Sequence, residues 1–364
     1  MSSPPARAVA TASAQPSPQP SQSAVAAIVP PPLRRPYLLF IGDVRDALTA
    51  KTAFGLADWC PDRVVGQWRL TGDAVDIGLR DLEPEAAAKA GCGSLVIGAA
   101  PAGGQIPDGW AEALRRAAAA GLDIVSGLHS PLGAVPGLAA AAARSGAALR
   151  EVRRPPEGIP VGTGQRRPGR RLLTVGADCA IGKKYTALAI HREMLARGWN
   201  ADFRATGQTG ILIAGAGIPI DAVVSDFLAG AAELLSPAAE ESHWDVIEGQ
   251  GSLFHPSYAG VSLGLLHGSQ PDALVLCYDT RRREIDGCPG FAVPAIATAI
   301  ARNEEAARLT NPAARCVGVS LNTKGMDAAE ADAVARAIAD AFGLPCVDPI
   351  RHGSAPIVDR LAGP

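Results

Sequence analysis

The run Leu172 to Thr186, LLTVGADCAIGKKYT, is an apolar stretch that enters a glycine-flanked turn and leaves it through Gly182-Lys183 into a helical pattern. In a phosphate cradle of this kind, backbone N–H groups wrap phosphate oxygens and the lysine reaches the outer phosphates. In the common form, G-x-x-x-x-G-K-[ST], the last hydroxyl binds Mg²⁺. Two features depart from that form: Gly176 and Gly182 stand one residue further apart, and Lys184 occupies the hydroxyl position. An anion site that lacks its magnesium ligand suits holding a phosphorylated cofactor without hydrolysing it. The cradle is assigned to Gly176, Asp178, Cys179, Ala180, Ile181, Gly182, Lys183, Lys184, Tyr185 and Thr186, with no metal ligands. Thr186 lies about 300° round the helix from Lys183 and need not replace the lost hydroxyl. Cys179 is read as supplying backbone to the loop, not a nucleophilic thiol.

Two further loops carry chemistry. In RATGQTG, Arg204, Thr206, Gln208 and Thr209 offer an arginine fork, hydroxyls and an amide suited to a substrate carboxylate or further phosphates. In WDVIEGQGSLFHP, Glu248 ends a short apolar strand, where it can act as general base or hold Mg²⁺ through water. Gly249, Gln250 and Gly251 bring backbone N–H groups close to a ligand, as an oxyanion site requires. His255 follows with lower weight, and His129 and His267 read as ordinary hydrogen-bonding histidines. In DAVVSDFLAG, Asp221 is expected to cap a helix and Asp226 to lie inside it, which makes Asp226 a further candidate base.

The elements that must position these loops read as α/β throughout. Residues 1–36 are rich in Pro, Ser, Ala and Gln and are expected to form a disordered tail. Residues 37–152 alternate apolar strands (YLLFIGD, RVVGQWRL, SLVIGAA, LDIVSGLH) with Ala-rich helices, the pattern of a Rossmann-like parallel-sheet domain. Residues 153–171 are broken by proline and glycine and read as a linker. Residues 172–364 repeat the alternation as a P-loop domain, with strands at 172–175, 201–204, 245–247, 273–277 and 316–321. In open α/β sheets ligands bind beyond the carboxyl ends of strands, so loops 178–184, 205–209 and 248–255 and the pair Asn322-Thr323 are expected to converge on one edge.

Bulk properties narrow the partners. A net charge of −2 on 364 residues gives no electrostatic footprint for nucleic acid or an anionic membrane. The seven cysteines show no C-x-x-C pair and read as free thiols of a cytoplasmic protein. No apolar run reaches the roughly 18 residues of a membrane helix. A small-molecule substrate and a homo-oligomer are the expectation.

Long blocks of the chain, LTVGADCAIGKKYTALAIHREM, FRATGQTGILIAG, HWDVIEGQGSLFHPSYAGVSLGLLHGSQPDALVLC and GVSLNTK, resemble a P-loop family long catalogued as a domain of unknown function, which includes the D-glutamate N-acetyltransferases. GDVRDALTAKTAFGLADW and GLDIVSGLHSPLG extend the resemblance over the first domain. More distantly, the lengthened loop and the EG-x-G segment are similar to dethiobiotin synthetase. The resemblance implies acetyl transfer from acetyl-CoA to the amino group of D-glutamate, with the cradle on coenzyme A phosphates and Glu248, Asp226 and His255 as candidate bases in that order. Arg204 and Gln208 would hold the glutamate carboxylates. Tyr278 departs from the histidine that relatives carry after the cysteine. The alternative is an ATP- and Mg²⁺-dependent ligase or kinase of the dethiobiotin-synthetase kind.

Overall fold

The computed structural model describes residues 33–362. Most of the expected tail lies outside them, but its last residues are packed. Leu33 rests on the core, and Arg34 pairs with Asp123 at 3.2 Å while its carbonyl accepts the Ser94 hydroxyl at 2.6 Å.

Strands β1 (Tyr37–Gly42), β2 (Val64–Arg69), β3 (Ser94–Ile97), β4 (Asp123–Ser126) and β5 (Leu149–Glu151) form a parallel sheet in the order β2-β1-β3-β4-β5. β1, β3 and β4 are buried along their whole length, as central strands covered on both faces must be. The covering helices are α1 (Lys51–Trp59), α2 (Pro84–Lys89), α3 (Ala111–Ala119) and α4 (Leu138–Ser145). In α3 the residues Ala113, Leu114, Ala117 and Ala118 are buried, at the spacing of one helical face.

The second sheet is also parallel. β6 (Arg170–Gly176), β7 (Ala201–Arg204), β8 (Trp244–Ile247), β9 (Ala273–Tyr278), β10 (Arg315–Leu321) and β11 (Cys346–Val347) lie in the order β11-β10-β9-β6-β8-β7. Their helices are α5 (Lys183–Ala196), α6 (Gln208–Ala214), α7 (Leu228–Leu235), α8 (Ala259–Ser269), α9 (Ile296–Arg308), α10 (Ala328–Phe342) and α11 (Ala355–Ala362). β6 sits between β8 and β9, so the loops after β6 and β8 open side by side at the sheet's carboxyl edge. At α10 the Asp327 carboxylate accepts the Glu330 N–H at 2.8 Å, a cap readable in the sequence.

The stretch read as a linker has no regular element until β6, which takes its last two residues. It is fastened to the second domain: the buried Arg171 side chain donates to the carbonyls of Arg167 and Pro168, each at 3.0 Å. The two domains share a core. Leu39, Ile41, Ala53 and Leu56 of the first pack with Leu188, Ala205, Ile211 and Leu212 of the second. No helix among the described residues is long and apolar enough to cross a membrane.

Candidate active site at the domain interface

The loop leaving β6 curls through left-handed conformations at Ala180 (φ 52°) and Gly182 (φ 111°). Among the described residues no acceptor faces the backbone N–H groups of Ala180 to Lys184, which leaves them open to an anion at the start of α5. Lys183 is buried, and its Nζ donates to the Asp178 carbonyl at 2.7 Å. Burial pulls its pKa down, as expected of a charge waiting for a counter-ion. Two glycines make room for it. A Cβ on Gly176 would stand 3.1 Å from Lys183 Nζ, and one on Gly249 would stand 3.0 Å from its Cδ and 1.7 Å from the Thr174 carbonyl oxygen.

Three residues assigned to the cradle face elsewhere. The buried Asp178 carboxylate accepts Arg282 Nη1 at 2.7 Å and the N–H groups of Cys179 and Asp286 at 2.6 and 2.9 Å. It braces the loop. Tyr185 donates its hydroxyl to Asp58 of α1 and meets Trp59 edge-on at 5.8 Å. Thr186 donates to the Gly182 carbonyl at 3.1 Å and shares a hydrogen bond with Ser320 at 2.7 Å, inside the core. The metal ligand is therefore not replaced by Thr186. No motif in the sequence points to Arg282, although the run Arg281 to Arg283, three residues past the end of β9, marks a basic loop at the same edge.

Glu248 ends β8, buried, with Oε2 accepting the N–H groups of Thr206 at 3.0 Å and Gly207 at 3.2 Å. The Thr206 hydroxyl donates to the Glu248 carbonyl at 2.6 Å. A Cβ on Gly210 would stand 2.1 Å from Glu248 Oε2, so only glycine lets α6 approach this closely. Desolvation raises the carboxyl pKa, opposed by the Thr206 N–H, the charge of Lys184 and the Gly207 N–H. Lys184 is pushed down to about 8 by its own burial and by Lys51, with Glu248 and Asp58 pulling the other way. Its Nζ reaches toward α1, 2.7 Å from where a Cβ on Gly55 would stand. The cation standing in for the magnesium hydroxyl thus lies between the domains, in the field of Glu248.

The other expected substrate residues divide. Gln208 presses on the first domain, its Oε1 only 2.2 Å from where a Cβ on Gly127 would lie. Thr209 shares a 2.9 Å hydrogen bond with Thr52 of α1. Gln250 lies against Gly207, and the Gly249 N–H is taken by the Thr174 hydroxyl at 2.9 Å. Among the described residues no acceptor faces the N–H groups of Gln250 and Gly251. These two are the free donors of the EGQG loop. Asn322 is drawn to the same edge, donating to Asp279 at 3.2 Å.

Arg204 is not free for a substrate. Its Nε donates to Asp245 at 2.6 Å and its Nη2 to Asp202 at 2.9 Å, so the side chain runs back along β7 and β8, away from the loops. Asp226 lies exposed in a single 3₁₀ turn, Ser225–Phe227, and not inside a helix. Asp221 caps nothing and pairs instead with Arg153. His255 Nδ1 accepts the Ser257 N–H at 3.1 Å, so its Nε2 carries the proton and faces the Asp286 carbonyl at 3.2 Å. Asp178, Cys179 and His255 bring ligating atoms within 4.8 Å of one another. Asp178 already accepts three donors, one of them the Arg282 cation, and both His255 nitrogens are engaged, so the set is a poor metal site. Tyr278 donates its hydroxyl to the Pro294 carbonyl at 2.9 Å.

Residues 160–358 match the family model described as a domain of unknown function, DUF1611, P-loop domain, and residues 66–155 match the DUF1611 Rossmann-like domain. The chain is 47% identical over 330 residues to a D-glutamate N-acetyltransferase of Tritonibacter scottomollicae, covering 91% of this chain and 99% of that one. It is 46% identical over 329 residues to a second protein of that name from Pseudoalteromonas, covering 90% and 99%. A crystal structure of a DUF1611 family protein from Anabaena variabilis superposes with a TM-score of 0.80 at 33% identity, over 90% of this chain and 99% of that one. With both family domains matched and the fold shared over nearly its whole described length, this chain belongs to the DUF1611 family.

Proposed function

We propose that the chain transfers the acetyl group of acetyl-CoA to the amino group of D-glutamate; its curated relatives are named D-glutamate N-acetyltransferase. The structural observation that carries the reading is the pairing of an open phosphate cradle with a buried Glu248 of raised pKa in the field of Lys184. The cradle fits the pyrophosphate of coenzyme A: free N–H groups line the loop, and Lys183 lies between two glycines whose missing side chains leave it room.

An amino group attacks a thioester only after losing a proton. Glu248 is held by two backbone donors at one oxygen and leaves Oε1 free to take that proton. As the amine bonds to the carbonyl carbon, negative charge grows on the carbonyl oxygen, and the Gln250 and Gly251 N–H groups are the donors placed to stabilise it. The C–S bond then breaks, and the thiolate of coenzyme A leaves. Lys184 favours the ionised form of Glu248 before the reaction. With Arg204 tied to Asp202 and Asp245, Gln208 at the interface remains the candidate for a substrate carboxylate.

Thiol release measured with acetyl-CoA and D-glutamate, with and without ATP and Mg²⁺, tests this. Release that needs neither ATP nor metal supports acetyl transfer. Phosphate appearing in place of thiol sinks it in favour of a ligase or kinase.

A further inference from the structure

Helix α1 lies with one face along the start of α5, and the contacts climb in register. Near the carboxyl end of α1, Asp58 accepts the Tyr185 hydroxyl and Trp59 meets the Tyr185 ring at 5.8 Å. One turn earlier Gly55 lies under Lys184, where an added methyl would stand 2.7 Å from both Lys184 Nζ and Thr209 Cγ2. One turn earlier again, on the same face, is Lys51. Since the partners run backward from Tyr185 to Lys184, Lys51 comes next over the loop that precedes α5. Its side chain is exposed, and among the described residues it makes neither an ion pair nor a hydrogen bond.

The charge of Lys51 is felt on both sides of that loop. It helps depress Lys184, and it pulls against the burial that raises the Cys179 thiol. Lys51, Lys183 and Lys184 therefore gather three ammonium groups around one turn of backbone whose N–H groups are also unpaired. Like charges held together raise the local potential, and a polyanion relieves the repulsion.

We infer that Lys51 completes the phosphate cradle from across the domain interface, so that the first domain contributes a side chain directly to cofactor binding. The inference rests on the reading that the cradle holds the phosphates of a pyrophosphate-bearing cofactor. It also gives the docking of α1 on α5 a functional consequence: Gly55 sets how near α1 comes, and thereby how near Lys51 stands to the loop.

The test is calorimetric titration of the full chain with coenzyme A, and separately with inorganic pyrophosphate, for wild type, Lys51→Gln, Lys51→Arg and Lys183→Ala. Lys51→Gln is expected to weaken both probes about tenfold, the loss of one charge-assisted phosphate contact, with an unchanged melting temperature and a shallower salt dependence. Lys51→Arg restores most of the affinity, and the KM for D-glutamate does not move. Wild-type affinity in Lys51→Gln alongside a loss in Lys183→Ala overturns the role of Lys51 and leaves the cradle standing. Unchanged affinity in both variants removes phosphate from the cradle altogether and takes the inference with it. A raised KM for D-glutamate with cofactor affinity intact assigns Lys51 to the amino acid instead, and also overturns it.

Discussion

The Glu248 carboxylate accepts the Thr206 N–H at 3.0 Å while Gly210, one turn into α6, leaves no room beside it for a methyl group. The base is thus set by a backbone donor and by a missing side chain, and the two can be separated. Glu248→Gln keeps the shape and loses the proton acceptor, so turnover is expected to fall about 10²- to 10⁴-fold with coenzyme A affinity retained. Gly210→Ala keeps the carboxylate and displaces it, since a Cβ at 2.1 Å from Oε2 must be accommodated by movement. Here kcat is expected to drop while melting temperature changes little, because alanine also favours the helix. Single-turnover rates and calorimetry on the two variants check this; a fully active Glu248→Gln places the base elsewhere.

Lys184 ties pH to both stability and binding. Its pKa in the folded chain is held down to about 8, against about 10.4 for a free lysine. Between those values the unfolded chain keeps a proton that the folded chain has released, so this residue's contribution to stability rises with pH across the window. Lys184→Met is expected to flatten that rise in urea titrations taken from pH 8 to 10. Anion binding acts in the opposite sense: phosphates favour the charged ammonium, so binding near pH 9 takes up a proton and affinity weakens as pH climbs. Binding heats measured in buffers of different ionisation enthalpy report that uptake. Heats independent of buffer would disconnect Lys184 from the anion.

On the acid side the limiting group is Glu248. Desolvation lifts its pKa above the ordinary carboxylate value, so the ionised base is lost earlier than usual as pH falls. The acid limb of kcat is expected above pH 4.5 and to move further up in Lys184→Met, which removes a charge that favours the carboxylate. A limb that stays put in that variant contradicts the coupling between the two residues.

Arg204 illustrates why some of the site was legible in the chain and some was not. The strand–turn–helix at residues 172–186 and the carboxylate ending β8 are local patterns: hydrophobic period, glycine placement and charge fix them without help from distant segments. Parallel strand order then brings their loops to one edge. Arg204 also follows a strand, yet Asp202 and Asp245 turn its guanidinium back, and Asp245 becomes its neighbour only through the pairing of β7 with β8. Asp226 reads as helical because its flanks are apolar, but α7 starts two residues later. Tyr185 and Thr209 stand in the chain where ligand contacts are expected, yet their hydroxyls bond to Asp58 and Thr52 of α1, information that exists only in how α1 docks.

For Arg204→Ala the expected result is therefore structural. Removing the guanidinium leaves the buried Asp245 with only His243, at 3.2 Å, and is expected to cost about 2 kcal/mol of stability. The KM for D-glutamate should be unchanged. A selective rise in KM without loss of stability restores Arg204 to the substrate.

The shared core carries the last expectation. Leu56 of α1 is fully buried among residues of both domains, with Ile211 and Leu212 of α6 in the same cluster. Leu56→Ala removes apolar volume that neither domain can refill alone, at a cost of about 2–5 kcal/mol. If the domains were independent units, only the first would be weakened, and calorimetry would split into two transitions. Because the cluster is continuous, a single transition shifted downward is expected, with cofactor affinity reduced by displacement of α1 from α5. A split melt with unchanged coenzyme A affinity would show that the interface is a contact between two separate bodies and that the cradle is complete within the second domain.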